Sequence, residues 1–412
     1  MPQLSIIIPA FNNSRYLPDC VHSVTRQHYR DIEVIIVDDC STDDTADVAL
    51  QLTQEDSRVR MIQHHVNSGT LASRKTGILA SHGQFVMLMD QDDELADGSL
   101  QSLMHFAHNT EADIYHFGVR VVAENASAED AATGMSSFLT PISRTLQGED
   151  ILRTQFSAVD GFDWHVHHKM YRGNLARTAY EHAADERLVL SDDLYMSFIL
   201  DSFATTYAGI PNSPWYLYHL GRGDTLGSQL TLNTLDATAR RDAQALSMVT
   251  DFARSINEQI PRDDWSDRLN DVRDRLIEHT MNEWQDNLPQ SDKSDGLQCI
   301  LSYWSSDAVC GELYRYIRDY AYAYLVSDDK LSDTASANRM HASQYLQETE
   351  RIEAAHQLPS NTVNQHFLSM RSIARQHLRD SGIIESKGER PLPAKENRLK
   401  TMLRTLFTSA KR

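Results

Sequence analysis

Cysteine is scarce and scattered: Cys20, Cys40, Cys299 and Cys310 are the only four in 412 residues, and no two form a C-x-x-C pair. That spacing excludes a disulfide scaffold and a structural zinc site, and it fits a reducing cytoplasm. Long apolar runs are also missing. The N-terminus passes from Met-Pro-Gln directly into LSIII with no basic region before it, so neither a signal peptide nor a membrane span is expected. The expected location is the cytoplasm, soluble or peripheral at the inner face of the membrane. Basic residues are outnumbered 39 to 58, for a net charge of -19, which excludes nucleic acid as a partner.

What is present is an ordinary globular composition in a chain long enough for two domains. Short apolar runs alternate with helical patterns over the first hundred residues: LSIII, Tyr16 to Gln27, IEVIIV, Asp43 to Gln54, VRMI, Leu71 to Ser81 and FVMLM. Such alternation predicts an α/β fold, a mostly parallel Rossmann-like sheet with helices on both faces. A further strand is predicted from Asp113 to Glu124, followed by a loop from Asn125 to Gly134. Beyond Thr225, long amphipathic segments (236–260, 265–287, 306–326 and 339–357) predict an all-helical domain without a fixed repeat. The expected divisions are 1–228 for an α/β catalytic domain, 229–385 for the helical domain and 386–412 for a basic amphipathic tail.

The runs IEVIIVDD and FVMLMDQDD are nearly uniform in apolar character, as in strands covered on both faces, and each ends in carboxylates. Ligands of open parallel sheets bind beyond the carboxyl ends of the strands. Pro9 to Asn12, Asp38 with Asp39, and Asp90 to Asp93 should therefore share one edge. Ser41 and Asp44 read as a capping box for the helix that follows. Asp38 and Asp39 are left at the strand end, where a carboxylate can accept a hydrogen bond from the N–H of a uracil-like base, with Arg74 in reach of the same pocket. The trio Asp90, Asp92 and Asp93 supplies hard oxygens for a divalent cation, Mn2+ or Mg2+, that would neutralise a departing diphosphate. His165, His167 and His168 invite a zinc reading, but no third ligand with metal spacing is evident.

Taken in order, SIIIPAFNNSRYLPDCVHSV, EVIIVDDCSTDDT, NSGTLASRKTG and GQFVMLMDQDDEL resemble the nucleotide-binding half of family 2 glycosyltransferases, inverting enzymes of the GT-A fold. The resemblance implies that Pro9 and Phe11 line the base pocket and that Asp39 holds the base. It sets Arg74 and Asp90 near base and ribose, and Asp92 on the metal with Asp93 beside it. UDP is the nucleotide it favours. WHVHHKMYRGNL, ERLVLSDDLYMSFIL and WYLYHLGRGDTLG look like the acceptor-side half of bacterial members that build surface polysaccharides and teichoic-acid decorations. On that likeness Asp193 is the general base with Asp192 beside it, Ser191 and Asp192 also capping the helix. His168 and Lys169 would contact phosphate or acceptor, and Arg222 would close over the diphosphate. Two departures are Lys75-Thr76, where the family commonly has asparagine after the arginine, and Asp224-Thr225 in place of a serine-rich loop.

The implied partners are a nucleotide-sugar donor and a glycan, glycopolymer or lipid-linked acceptor. The helical half is where acceptor choice, or pairing with a second copy, would reside. In the tail, eight basic residues face only Glu389 and Glu396, and Leu399, Met402, Leu403, Leu406 and Phe407 fall at helical spacing. That pattern suits an anionic membrane surface as well as it suits a solvated or self-docked helix. Two rival readings are a nucleotidyltransferase and a non-catalytic sugar-binding protein on a decayed transferase fold. Against the first, PAFNNSRYLP is neither glycine-rich nor strongly basic; against the second, Asp39, Asp92 and Asp193 are all retained.

Overall fold

The computed structural model describes residues 1–188, 191–222, 230–356 and 364–385. The tail from 386 and the pair Asp224-Thr225 lie outside the described residues. Nine strands are described: β1 (Leu4–Ala10), β2 (Ile32–Asp38), β3 (Val59–Gln63), β4 (Phe85–Leu88), β5 (Glu94–Leu95), β6 (Ile114–Ala123), β7 (Arg144–Gln147), β8 (Lys169–Arg172) and β9 (Thr206–Leu220). They form one mixed sheet in the order β3-β2-β1-β4-β8-β6-β9-β5, with β7 on β9. Strands β3, β2, β1 and β4 are parallel throughout; β8 runs antiparallel between β4 and β6.

The helices of the first half are α1 (Leu17–Thr25), α2 (Thr45–Glu55), α3 (Thr70–Leu79), α4 (Ser99–Asn109), α5 (Ala126–Phe138), α6 (Glu149–Gln155), α7 (Gly173–Glu181) and α8 (Asp192–Phe203). Then come α9 (Leu232–Ile256), α10 (Trp265–Asn287), α11 (Lys293–Leu301), α12 (Ser306–Val326), α13 (Asp333–His356) and α14 (Gln365–Asp380).

Both faces of the sheet are covered because successive strand residues point to opposite sides. Ile6, Ile8, Val34 and Ile36 join one apolar cluster with Leu17, Val21 and Val24 of α1, Leu52 of α2 and Leu103 of α4. On the other face α3 packs directly on β1 and β2. Gly77 makes that approach feasible, since a Cβ there would sit 2.3 Å from Ile7 Cγ2 and 3.1 Å from Val37 Cγ2. Burial of such side chains, roughly 1.5–3 kcal/mol each, is what holds the two layers to the sheet.

The segment expected to be a loop, 125–134, is instead the start of α5. Asn125 caps it, its side-chain oxygen accepting from the Ala128 N–H at 3.0 Å, and the alanines that follow favour the helix. The Ser41/Asp44 capping box also does not form. Asp43 Oδ1 accepts from the Thr45 N–H at 3.0 Å, and Ser41 Oγ accepts from the Asn12 N–H at 3.0 Å, so the strand-end loops are laced to each other.

The chain divides into two compact units, 1–305 and 306–412. The line expected at residue 228 falls inside the first unit, which holds α9 to α11 as well as the sheet. The second unit is built on α12, α13 and α14, where Tyr314, Ile317, Ala342, Ile352, Phe367 and Leu378 are buried. Its one fully buried carboxylate among the described residues, Glu312, is paired with Arg315 at 2.6 Å and His366 at 2.8 Å. Among the described residues no helix is long and apolar enough to cross a membrane.

Candidate active site

Register brings the strand ends together. Ala10 pairs with Asp38, Ile7 pairs with Leu88, and the Met89 N–H donates to the Ile7 carbonyl at 3.0 Å, so the chains leave β1, β2 and β4 at one edge. Asn12 (φ 47°) and Cys40 (φ 61°) adopt left-handed backbone just after β1 and β2. Non-glycine residues seldom do so, and such turns concentrate at functional edges. Gln91 joins the loops by accepting from the Phe11 N–H at 2.8 Å and donating to the Phe11 carbonyl at 3.2 Å.

Above this edge lies a cavity of about 770 Å³. Of the residues singled out in the sequence, Pro9, Phe11, Asp39, Arg74, Asp90, Asp92, Asp93, Asp192, Asp193 and Arg222 all line it. Asp39 is 3% exposed and firmly oriented. Its Oδ1 accepts from His64 Nδ1 at 2.8 Å and from the Ser68 N–H at 2.9 Å, while Oδ2 accepts from the Gly69 N–H at 2.7 Å. A carboxylate oxygen takes about two donors, so Oδ2 retains capacity for one more. His64 Nε2 meets Thr76 Oγ1 at 2.9 Å, which ties Thr76 to the orientation of Asp39.

Arg74, on α3 and 3% exposed, is the hub of the cavity. Its Nη2 donates to Asp90 Oδ1 at 2.9 Å, and its Nη1 donates to Asp192 Oδ2 at 3.0 Å and to Asp193 Oδ1. One guanidinium therefore faces three carboxylates from two distant parts of the chain. It does not neutralise them all. The Asp192 carboxyl is pushed up to about 7, by burial first; Arg74 opposes this, and the charges of Asp193 and Asp90 add to it. Asp193 is the more open of the pair, its side chain 16% exposed against 7% for Asp192.

The acidic trio separates by role. Asp93 turns inward, Oδ2 accepting from Tyr216 Oη and Oδ1 from the His219 N–H, both at 2.8 Å, so it anchors β9 to the strand edge. Burial, then the charges of Asp90 and Asp92, hold its carboxyl well above the usual range. Cys20 is raised by burial and then by the same group of carboxylates, so the edge is strongly negative. Asp92 is half-buried at the cavity wall. These hard oxygens fit a divalent cation better than any neutral ligand. Arg222 lies beside the trio, its Nη1 donating to the Asp92 carbonyl at 3.3 Å, with Nε 2.8 Å from Glu124, Nη1 3.1 Å from Glu94 and its guanidinium 4.8 Å from the Tyr16 ring centre.

Lys169 does not join the cavity. It is 2% exposed, and its Nζ donates to the Asp163 carbonyl at 3.1 Å, to Asp163 Oδ1 at 3.3 Å and to the His165 carbonyl. The zinc reading does gain ligands here, because nitrogen or oxygen atoms of His116, Asp163 and His168 lie within 4.8 Å of one another. The cation of this cluster is nevertheless Lys169, which already balances Asp163. A further dication would be a largely uncompensated buried charge, costing several kcal/mol. Burial and the Lys169 charge hold His116 neutral.

Arg187 was not singled out in the sequence, yet it lines the cavity, its side chain passing Gly69 and its Nη2 donating to Asn67 Oδ1 at 2.8 Å. An isolated arginine in ERLVL carries no local signal of that placement.

Residues 5–168 match the family described as glycosyl transferase family 2. The chain is 30% identical over 158 residues to the GalNAc(5)-diNAcBac-PP-undecaprenol beta-1,3-glucosyltransferase of Campylobacter jejuni, covering 38% of this chain and 50% of that protein. It is 32% identical over 129 residues to the putative teichuronic acid biosynthesis glycosyltransferase TuaG of Bacillus subtilis, covering 31% of this chain and 51% of that protein. The chain thus spans about half the length of these curated relatives. Among solved structures, S. aureus TarS residues 1–349 superimpose with a TM-score of 0.55 at 17% identity, over 84% of this chain and 92% of that one. The same TarS fragment is also solved in complex with UDP, with a TM-score of 0.53 at 15% identity over 87% and 91% of the two chains. Residues 5–168 therefore form a glycosyl transferase family 2 domain, within a chain of GT-A fold.

Proposed function

We propose that the chain is a metal-dependent, inverting glycosyltransferase that moves a sugar from a nucleoside-diphosphate donor, with UDP as the nucleotide, to a hydroxyl of a cell-surface glycan, glycopolymer or lipid-linked acceptor. The observation that carries this reading is the Arg74 hub. It joins a strand-end carboxylate of the nucleotide side, Asp90, to the carboxylate pair that opens α8, so donor and acceptor chemistry face one cavity. The relatives with glycosyltransferase names and the UDP-bound TarS fragment support the class of reaction and the choice of nucleotide.

In this reading Asp39 accepts the base N–H through the capacity left on Oδ2, with Pro9, Phe11 and Arg187 as walls. Asp92, with the Asp90 oxygen that Arg74 leaves, would hold Mn2+ or Mg2+. The ion's contribution is to neutralise charge on the departing diphosphate. The acceptor hydroxyl gives its proton to Asp193 as its oxygen bonds to the anomeric carbon and the bond from that carbon to the diphosphate oxygen breaks. Asp192 shares Arg74 with Asp193, and burial pushes the Asp192 carboxyl itself up to about 7. Arg222 counters charge on the diphosphate side. Residues 1–228 are assigned the chemistry and the helices after them the acceptor.

The test is incubation of the chain with a panel of nucleotide sugars, Mn2+ or Mg2+, and glycan or lipid-linked acceptors, following nucleoside-diphosphate release and product mass together. Release coupled to a product heavier by one sugar supports the reading. Absence of release with every donor overturns it.

A further inference from the structure

Ser191 immediately precedes the Asp192–Asp193 pair and occupies the N-cap position of α8, where a serine hydroxyl ordinarily accepts from the helix's own N–H groups. It makes no such bond. Its Oγ instead donates to Asp242 Oδ1 at 2.8 Å, reaching 51 positions along the chain to α9. Asp242 is 1% exposed, and its other oxygen is filled from α10: Thr280 Oγ1 donates to Oδ2 at 2.8 Å, and His279 Nδ1 lies 2.8 Å from the same atom. A buried carboxylate with both oxygens occupied in this way is a fixed point, because leaving either one unmatched would cost more than an ordinary hydrogen bond is worth. The hydrogen bond that the hydroxyl would give up at the cap is replaced by the one to Asp242.

We propose that Asp242 is a positioning residue for the Asp192–Asp193 pair, acting through Ser191 to anchor the start of α8 to α9 and α10. The proposal rests on the reading of that pair as the proton acceptor. Arg74 holds the carboxylates from the nucleotide side, and Asp242 holds the backbone that carries them from the helical side. The pair is then aimed by two supports, only one of which belongs to the matched domain at residues 5–168. Loss of the second support should loosen the base relative to the acceptor hydroxyl and leave the proposed nucleobase contact at Asp39 and metal contact at Asp92 in place. Misplacement of a catalytic group by about 1 Å can cost about 10²-fold in rate.

The experiment uses the full chain and its best donor and acceptor, comparing Ser191→Ala, Ser191→Thr and Asp242→Asn with the wild type. Steady-state kcat and KM, UDP calorimetry and thermal melts are read together. Ser191→Ala and Asp242→Asn should lower kcat by about 10- to 100-fold while UDP affinity stays within about twofold, and Ser191→Thr should recover most of the loss. Unchanged kcat in Ser191→Ala overturns the proposal. So does a loss that tracks UDP affinity or the folded fraction, because that describes a residue with only a structural role. A wild-type chain that transfers no sugar but melts cooperatively overturns the transferase reading itself, a distinct result.

Discussion

Arg74 Nη1 lies 3.0 Å from Asp192 Oδ2, joining α3 to the first turn of α8 across 118 positions of sequence. The same guanidinium holds Asp90 and Asp193. Arg74→Met would leave three carboxylates around an uncharged side chain. The expected loss is about 3–5 kcal/mol of stability, as for other broken buried ion pairs. Arg74→Lys, keeping the charge without the fork, should recover only part of it. Urea unfolding of both variants measures this. A wild-type midpoint for Arg74→Met would show that the carboxylates do not depend on the hub.

Asp192 makes the stability of the fold depend on pH. Its folded-state carboxyl is pushed up to about 7 from an ordinary value of 3.8, chiefly by burial. Between those values the folded chain binds more protons than the unfolded one, so this group's contribution to stability is full below about pH 4 and is lost as pH rises through 7. Asp192→Asn removes the titration. The melting temperature of the variant minus that of the wild type should therefore climb from pH 4 to pH 7 and level off above it. A flat difference would place the Asp192 carboxyl in the usual carboxylate range.

Metal use is tested at Asp92. Replacing its hard anionic oxygen by an amide should abolish the enhancement of UDP binding by Mn2+ while leaving metal-free UDP binding within about threefold, under 1 kcal/mol. Calorimetry with and without Mn2+ reads both. An enhancement equal to wild type would move the ligand role to Asp90.

His64 bridges Asp39 and Thr76, with both ring nitrogens engaged. His64→Ala should weaken UDP binding by about 5- to 20-fold, roughly the worth of one or two hydrogen bonds, because Asp39 loses one of its three donors. Equilibrium binding without acceptor suffices. Undiminished affinity would mean that the two backbone N–H groups orient Asp39 unaided.

Much of the strand edge was legible in the sequence because local signals coincide there. Uniform apolar runs ending in carboxylates mark IEVIIVDD and FVMLMDQDD, and parallel register then sets Asp39 and Asp90 beside Pro9. What stayed hidden depends on contacts between distant segments. Nothing in SRKTG says that Arg74 meets the SDD step at 191–193, and nothing in ALSMV says that Asp242, three residues upstream, will take the Ser191 hydroxyl. Lys169 reads as a binding residue from the resemblance and Asp93 from its place at a strand end, yet β8 is buried between β4 and β6, and Asp93 is drawn to β9. Asn125 to Gly134 reads as loop because its residues are small and polar; one asparagine cap and four interspersed alanines, Ala126, Ala128, Ala131 and Ala132, are enough to start α5.

The most direct test of the account compares Asp193→Asn with the wild type under saturating donor, with the acceptor that supports turnover. An amide keeps the shape of the carboxylate but cannot take a proton. Transfer should slow by about 10² to 10⁴, while UDP and metal affinity stay within about tenfold, roughly 1.4 kcal/mol. Asp192→Asn, measured alongside, should cost less activity. Near wild-type turnover in Asp193→Asn with collapse in Asp192→Asn would move the base by one residue, and full turnover in both would contradict a proton acceptor at the start of α8.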